Sequence, residues 1–203
     1  AALGAANADV SARLVGTEAG GKKIDLAGTV LLEGDATETA ISFSGSPSGP
    51  TPASRNVVSG NGSVATGYHG IFVCAGTLTI QQNYIGLNAA GAAAIANGND
   101  GIAGCSTYTG TAQVLDNVIS GNTRAGLYLW NNGVAGSGGT WTVLRNIIGR
   151  DATGLAPIGN NRGIYVTLDR ATIGDGTTAN GNIISGNSTY GVGVVGAVAR
   201  NSV

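Results

Sequence analysis

Methionine is missing from this chain, and cysteine, histidine and proline are nearly so, at two, one and four of 203 residues. Two cysteines cannot make a disulfide-dense scaffold, and no Cys-x-x-Cys pair or Cys/His cluster offers the spacing of a zinc site. With only four prolines, and glycines that do not fall at every third position, a collagen-type triple helix is excluded. Charge is scarce as well: ten basic and eleven acidic residues leave a net charge of -1. Such a balance provides no electrostatic footprint for nucleic acid. No apolar run is long enough to cross a membrane as a helix. The segment from Ala1 to Gly16 has neither the charged region nor the apolar core of a signal peptide. Disorder is unsuited too, because 42% of the residues are hydrophobic and the chain is nearly neutral.

Glycine is what the chain has in excess, 36 residues of it, against an ordinary share of about 7%. Its placement follows internal repeats. Asn56-Val57-Val58-Ser59-Gly60-Asn61 returns as Asn117-Val118-Ile119-Ser120-Gly121-Asn122 and as Asn182-Ile183-Ile184-Ser185-Gly186-Asn187. Shorter relatives start at Asn83 and Asn146, and Asn201-Ser202-Val203 reads as the opening of another, so that the sequence stops inside a coil. Between these units lies a second motif, Gly70-Ile71-Phe72-Val73, then Gly101-Ile102-Ala103, Gly126-Leu127-Tyr128-Leu129, Gly163-Ile164-Tyr165-Val166 and Gly191-Val192-Gly193-Val194. Its glycines are 31, 25, 37 and 28 residues apart, and Ala40-Ile41-Ser42-Phe43 reads as an earlier copy. A double period is superimposed: Leu87 to Asn97 matches Arg150 to Asn160 at an offset of 63.

The apolar runs are three to five residues long, bounded by glycine and alternating with period two. Ile71 and Val73 point one way and Phe72 the other; Leu127/Leu129 with Tyr128, and Ile164/Val166 with Tyr165, repeat this. A unit of about 30 residues made of such strands cannot bury its own apolar face, so it must stack on its neighbour. The expected fold is all-β, a parallel β-solenoid of about six to seven coils, with a rise of about 4.8 Å per coil. Glycine serves the corners, where positive φ is needed. Asparagine at the corners should form two columns bonded from coil to coil. One would hold Asn56, Asn83, Asn117, Asn146, Asn182 and Asn201, the other Asn61, Asn88, Asn122, Asp151 and Asn187. Residues 40–203 carry the repeats, whereas residues 1–39 are degenerate and read as an N-terminal coil or cap.

The unit at 117–122 with Gly126-Leu127-Tyr128-Leu129, the segment at 171–187, and the stretch from Leu87 resemble the right-handed parallel β-helix repeat proteins of bacterial exported and cell-surface polypeptides. The resemblance covers roughly residue 40 to the end. It implies a right-handed coil and an extracellular or surface location, but no single activity, because the same solenoid carries lyases, hydrolases, adhesins and passive stalks.

Registering the coils on the Gly-Ile motif brings particular residues together. Cys74 and Cys105 fall in one column of consecutive coils, close enough for a disulfide or for two stacked thiols, with Trp130 next in that column. His69 and Asp100 become neighbours, readable as a satisfied polar pair or as part of an acid/base site; no Gly-x-Ser-x-Gly elbow accompanies them. The repeat-region carboxylates Asp100, Asp116, Asp151, Asp169 and Asp175 share no column, and Asp116 aligns instead with Arg145. Converging carboxylates, which glycosidic cleavage requires, are therefore not indicated. Tyr128 and Tyr165, with Trp130 and Trp141 in the same region, are the candidate ligand or partner surface. Thr77, Thr111 and Thr140 share a column, and Thr79 and Thr142 another that Gln113 interrupts, with Gly176 in the first column of a later coil. The expectation is a non-enzymatic extracellular structural or adhesive module without catalytic residue, metal or cofactor. Its partners would be copies of itself, adjoining segments of a larger chain, or glycans, but neither nucleic acid nor a membrane span. A carbohydrate-active lyase or hydrolase is the alternative, and an ice- or glycan-binding module a minor one.

Overall fold

The short alternating runs become the rungs of three sheets in a computed structural model of the chain. It describes residues 56–62, 68–74, 76–130, 139–167 and 170–195, together with the backbone of five short strands between residues 10 and 44. The first sheet stacks Thr29–Leu32, Ile71–Val73, Ile102–Gly104, Ala125–Leu129, Arg162–Val166 and Tyr190–Val194, all parallel. In the second, Ile41–Ser44, Thr77–Gln81, Thr111–Leu115, Thr140–Leu144 and Ala171–Ile173 are parallel. The third is narrower, built from Val57–Val58, Tyr84–Ile85, Val118–Ile119, Ile147–Ile148 and Ile183–Ile184. Each coil contributes one strand to each sheet, so the chain is a parallel β-solenoid.

At one end the polarity reverses. Lys22–Asp25, Val15–Gly16 and Val10–Ser11 pair antiparallel with the first strand of the first, second and third sheet respectively. Parallel pairing begins at Thr29. The copy of the Gly-Ile motif expected at residue 40 is displaced: Ile41–Ser44 belongs to the second sheet, and Val30 is the residue that pairs with Ile71. Ile41–Ser44 alternates with period two and Thr29–Leu32 does not, so the stacking and not the alternation identifies Val30 as the partner of Ile71.

Inward side chains fill the coil. Ile71, Ile102, Leu127 and Ile164 form one fully buried column, and Ile80, Val114 and Val143 lie in another. Each such side chain contributes about 1.5–3 kcal/mol of transfer free energy. Trp141 is among them, 0% exposed, which corrects its assignment to an outer ligand surface. Its parity is that of Val143, and its column neighbours are Ala112 and Ala171, whose small side chains leave room for the indole. A methyl on Gly104 would come within 3.0 Å of the ring, and Tyr108 meets it edge-on at 5.4 Å.

Two amide ladders satisfy the polar interior. In the first, the Nδ2 of Asn56, Asn83, Asn117 and Asn146 each donates to the Oδ1 of the next asparagine, ending on Asn182, at 2.8–3.1 Å. Asn201 lies outside the described residues. The second ladder runs Asn61, Asn97, Asn122, Asn160 and Asn187, with contacts of 2.8–3.1 Å. Its second and fourth rungs are Asn97 and Asn160, not the expected Asn88 and Asp151. In those coils nine additional residues (97 less 88, and 160 less 151) leave the shaft as an arm before the ladder resumes. Asn88 and Asp151 close the arms instead. Asn88 Oδ1 accepts from the amides of Ala92 and Ala93, and Asp151 Oδ1 from those of Leu155 and Ala156.

Candidate functional site: an aromatic and arginine face

The outward residues of the first sheet line up as the register dictates. Phe72, Ala103, Tyr128, Tyr165 and Gly193 form one column. The Tyr128 and Tyr165 rings stack at 5.3 Å. Gly193 leaves a gap into which the Tyr190 ring folds, so that Tyr190 continues the stack at 6.2 Å from Tyr165. Trp130 lies parallel to Tyr128 at 5.9 Å and is 38% exposed. Such offset stacks add about 0.5–1.5 kcal/mol per pair beyond area burial.

Arginine flanks the rings. Arg124 lies over Tyr128 at 4.7 Å, and Arg162 over Tyr165 at 4.8 Å and Tyr190 at 5.7 Å. Burial pushes the Tyr128 hydroxyl up, while Arg124 pulls it down. Arg162 Nε is buried with no hydrogen-bond partner, and no ion pair holds this guanidinium among the described residues. Arg162 immediately precedes Gly163, the position that His69 and Asp100 hold before their own glycines. The signal for this further column member was therefore present in the sequence. Tyr190 holds the same place before Gly191, and Phe72 is the outward residue of its own Gly-Ile motif; Arg124, which completes the face, carried no comparable mark.

His69 and Asp100 do meet, with Nδ1 3.2 Å from Oδ2 but off the hydrogen-bond direction. Arg124 Nη1 reaches the same oxygen at 3.3 Å, and the Ala125 amide donates to the other at 2.9 Å. Asp100 is 0% exposed, and His69 stacks on Phe72. A carboxylate clasped between two basic groups below a wall of rings positions Arg124, and presents no open oxygen to a substrate.

The other candidates are dispersed. Cys74 and Cys105 occupy equivalent rungs without a bond between them, the second of the two expected alternatives; Cys105 Sγ lies 3.2 Å from Thr107 Oγ1. Stacked residues of parallel strands project side by side, whereas a disulfide needs its Cβ vectors to converge. Asp116 and Arg145 form a bidentate pair at 2.8 and 2.9 Å, and Arg145 also bonds Asn180. Asp175 is tied into a turn by Thr177 and Asn180, and Asp169 lies outside the described residues. Among the described residues, no three His, Cys, Asp or Glu converge on a metal position. Thr77, Thr111 and Thr140 form an exposed row, but Arg170, not Gly176, follows Thr140 in it. Thr79, Gln113, Thr142 and Thr172 form the second row.

Compared with known family models, curated proteins and solved structures, the chain matches none. No described helix is long and apolar enough to cross a membrane.

Proposed function

We propose that the chain is a structural and adhesive module of an exported protein: a right-handed solenoid shaft that presents its aromatic and arginine face to acidic glycans. The observation that carries this reading is the stack of Trp130, Tyr128, Tyr165 and Tyr190 with Arg124 and Arg162 laid across it. Aromatic faces suit sugar C–H groups, Trp130 at the head of the stack is 38% exposed, and an arginine with no carboxylate partner suits an anion. Right-handedness is taken from the strong preference of parallel β crossovers. The shaft reading rests on two amide ladders that bind coil to coil throughout the described repeats. The antiparallel strands give one end the wrong polarity to extend a parallel stack, so association with further coils belongs to the opposite end.

The test pairs binding with polymer length. Titration with a polyuronate should show binding that weakens at least tenfold, or about 1.4 kcal/mol, on Trp130→Ala or Arg162→Gln and declines with added salt. The size distribution of the polymer should be unchanged after incubation. Binding indifferent to both substitutions contradicts the adhesive face, and shortening of the polymer contradicts the non-enzymatic reading.

A further inference from the structure

The two arms, residues 88–96 and 151–159, are related by the 63-residue period and lie against each other. The Ala152 amide of the second arm donates to the Gly91 carbonyl of the first at 2.9 Å. A Cβ built on Gly91 would meet the Ala152 methyl at 2.5 Å and the Tyr84 ring at 2.6 Å, so glycine here makes the seat for that methyl. The second arm also covers the outer side of the third sheet: Tyr84, Leu87 and Val118 are buried in a cluster with Ala152 and Ile158. Its return segment is fixed by Gly121, whose amide donates to Ile158 O, just as Gly60 donates to Ile95 O of the first arm.

The next seat in this series is open. Gly154 stands where Gly91 does, 63 residues on, yet a Cβ there would find only the Ile183 and Ile147 methyls at 3.7 and 3.8 Å. Gly186 follows Gly60 and Gly121, and its amide meets no such arm carbonyl among the described residues. Ile183 lies two coils beyond Val118 in the third sheet, with Ile147 between them, and is 49% exposed where Val118 is 7%. Seat, amide donor and apolar floor all repeat; the arm that would close them does not.

We infer that Gly154, Gly186, Ile147 and Ile183 form a docking seat for a third arm of the pattern Asx-Ala-x-Gly, carried by a further two-coil unit of the same shaft. The occupant is set by continuity with the internal contact: a methyl at its second position sits on Gly154 with its amide on the Gly154 carbonyl, and its return carbonyl accepts from Gly186. A second whole copy in this geometry would have to put the coil ahead of its own first arm where the Asn182 coil already is. The arm therefore comes from a coaxial unit beyond that coil.

Thiol accessibility tests this, with Cys74 and Cys105 replaced by alanine. In the full chain, Val118→Cys should react slowly with a maleimide, and deletion of residues 151–159 should raise its rate at least tenfold. An extended chain, in which residues 120–203 follow Ile184, restores the native Ile-Ser-Gly-Asn junction and supplies a third arm. Ile183→Cys should label at least tenfold more slowly there than in the present chain, and removing the nine residues of the added arm should restore the fast rate. Continued protection of Val118→Cys without the second arm overturns the proposal, even where the extended chain fails to fold. So does fast labelling of Ile183→Cys in the folded extension, or protection that survives loss of the added arm. Protection that grows with concentration of the present chain, together with a doubled mass, would assign the seat to a second copy instead.

Discussion

Asparagine inside a protein is tolerated only when its amide is fully used, and here each ladder amide bridges its neighbours. Asn117 donates to Asn146 Oδ1 and to the carbonyls of Ile80 and Leu115, while its own Oδ1 accepts from the Asn83 amide and side chain. The arm asparagine Asn88 and its counterpart Asp151 do local work only, and that difference can be titrated. Hydrogen bonds from Thr153, then from the backbone of Ala156, Leu155 and Thr153, hold the Asp151 carboxyl below the usual carboxylate range. A depressed folded value means that the contribution of the charged form is present above the unfolded pKa and fades as pH falls through the folded one. Amide chemical shifts of Leu155 and Ala156 should therefore move with a midpoint below the ordinary aspartate value. Those of Ala92 and Ala93, capped by the neutral Asn88, should stay flat. The two tryptophans divide in the same way. Trp141→Ala should cost about 3–5 kcal/mol in denaturant unfolding, as a large buried side chain does. Trp130→Ala should cost about 1 kcal/mol, close to the worth of one aromatic pair.

At the scale of the element, strands of two to five residues persist because all but the outermost are paired above and below, not because of their own length. The arms are the exception, being held by the shaft and by one another. Gly91 and Gly154 both have positive φ, at 69° and 75°, so alanine at either position carries a similar backbone penalty. Only at Gly91 does the new methyl strike another arm. Gly91→Ala should therefore destabilise by about 1–3 kcal/mol more than Gly154→Ala in parallel urea titrations. The register of the face-forming strands was legible from the sequence, since Gly-Ile spacing alone brings Tyr128 beside Tyr165 and His69 beside Asp100. Trp141 was legible too, by parity with Val143, but proximity in the chain to Trp130 concealed it. The arms were harder to read. Asn88 keeps the same distance from Asn83 that Asn122 keeps from Asn117, so a ladder rung and a turn cap look identical locally. Only the 63-residue period marks the nine inserted residues, and it does so without saying which asparagine returns to the ladder.

Across the whole molecule, the polar groups of the interior run lengthwise and the aromatic and arginine groups lie outside, on one face. That division lets aromatic and arginine residues vary without loss of the shaft, whereas a ladder residue cannot change alone. The sequence could place the first asparagine column because each asparagine opens the same short apolar unit, although the units are 27, 34, 29 and 36 residues apart. It could not place Arg162 over Tyr165 and Tyr190, because that contact depends on Tyr190 folding across Gly193 from the following coil. Two continuous amide ladders thread the stacked coils, the second through Asn97 and Asn160. Asn97 Oδ1 accepts from the Asn61 amide and side chain, and its Nδ2 donates to Val58 O and Asn122 Oδ1. The most direct measurement compares equilibrium unfolding of Asn97→Ala with that of Asn88→Ala. Loss of Asn97 leaves several buried groups unsatisfied at about 1–3 kcal/mol each, so it should cost at least about 3 kcal/mol, against about 1 kcal/mol for Asn88. Equal costs, or a larger one at Asn88, would contradict the ladder.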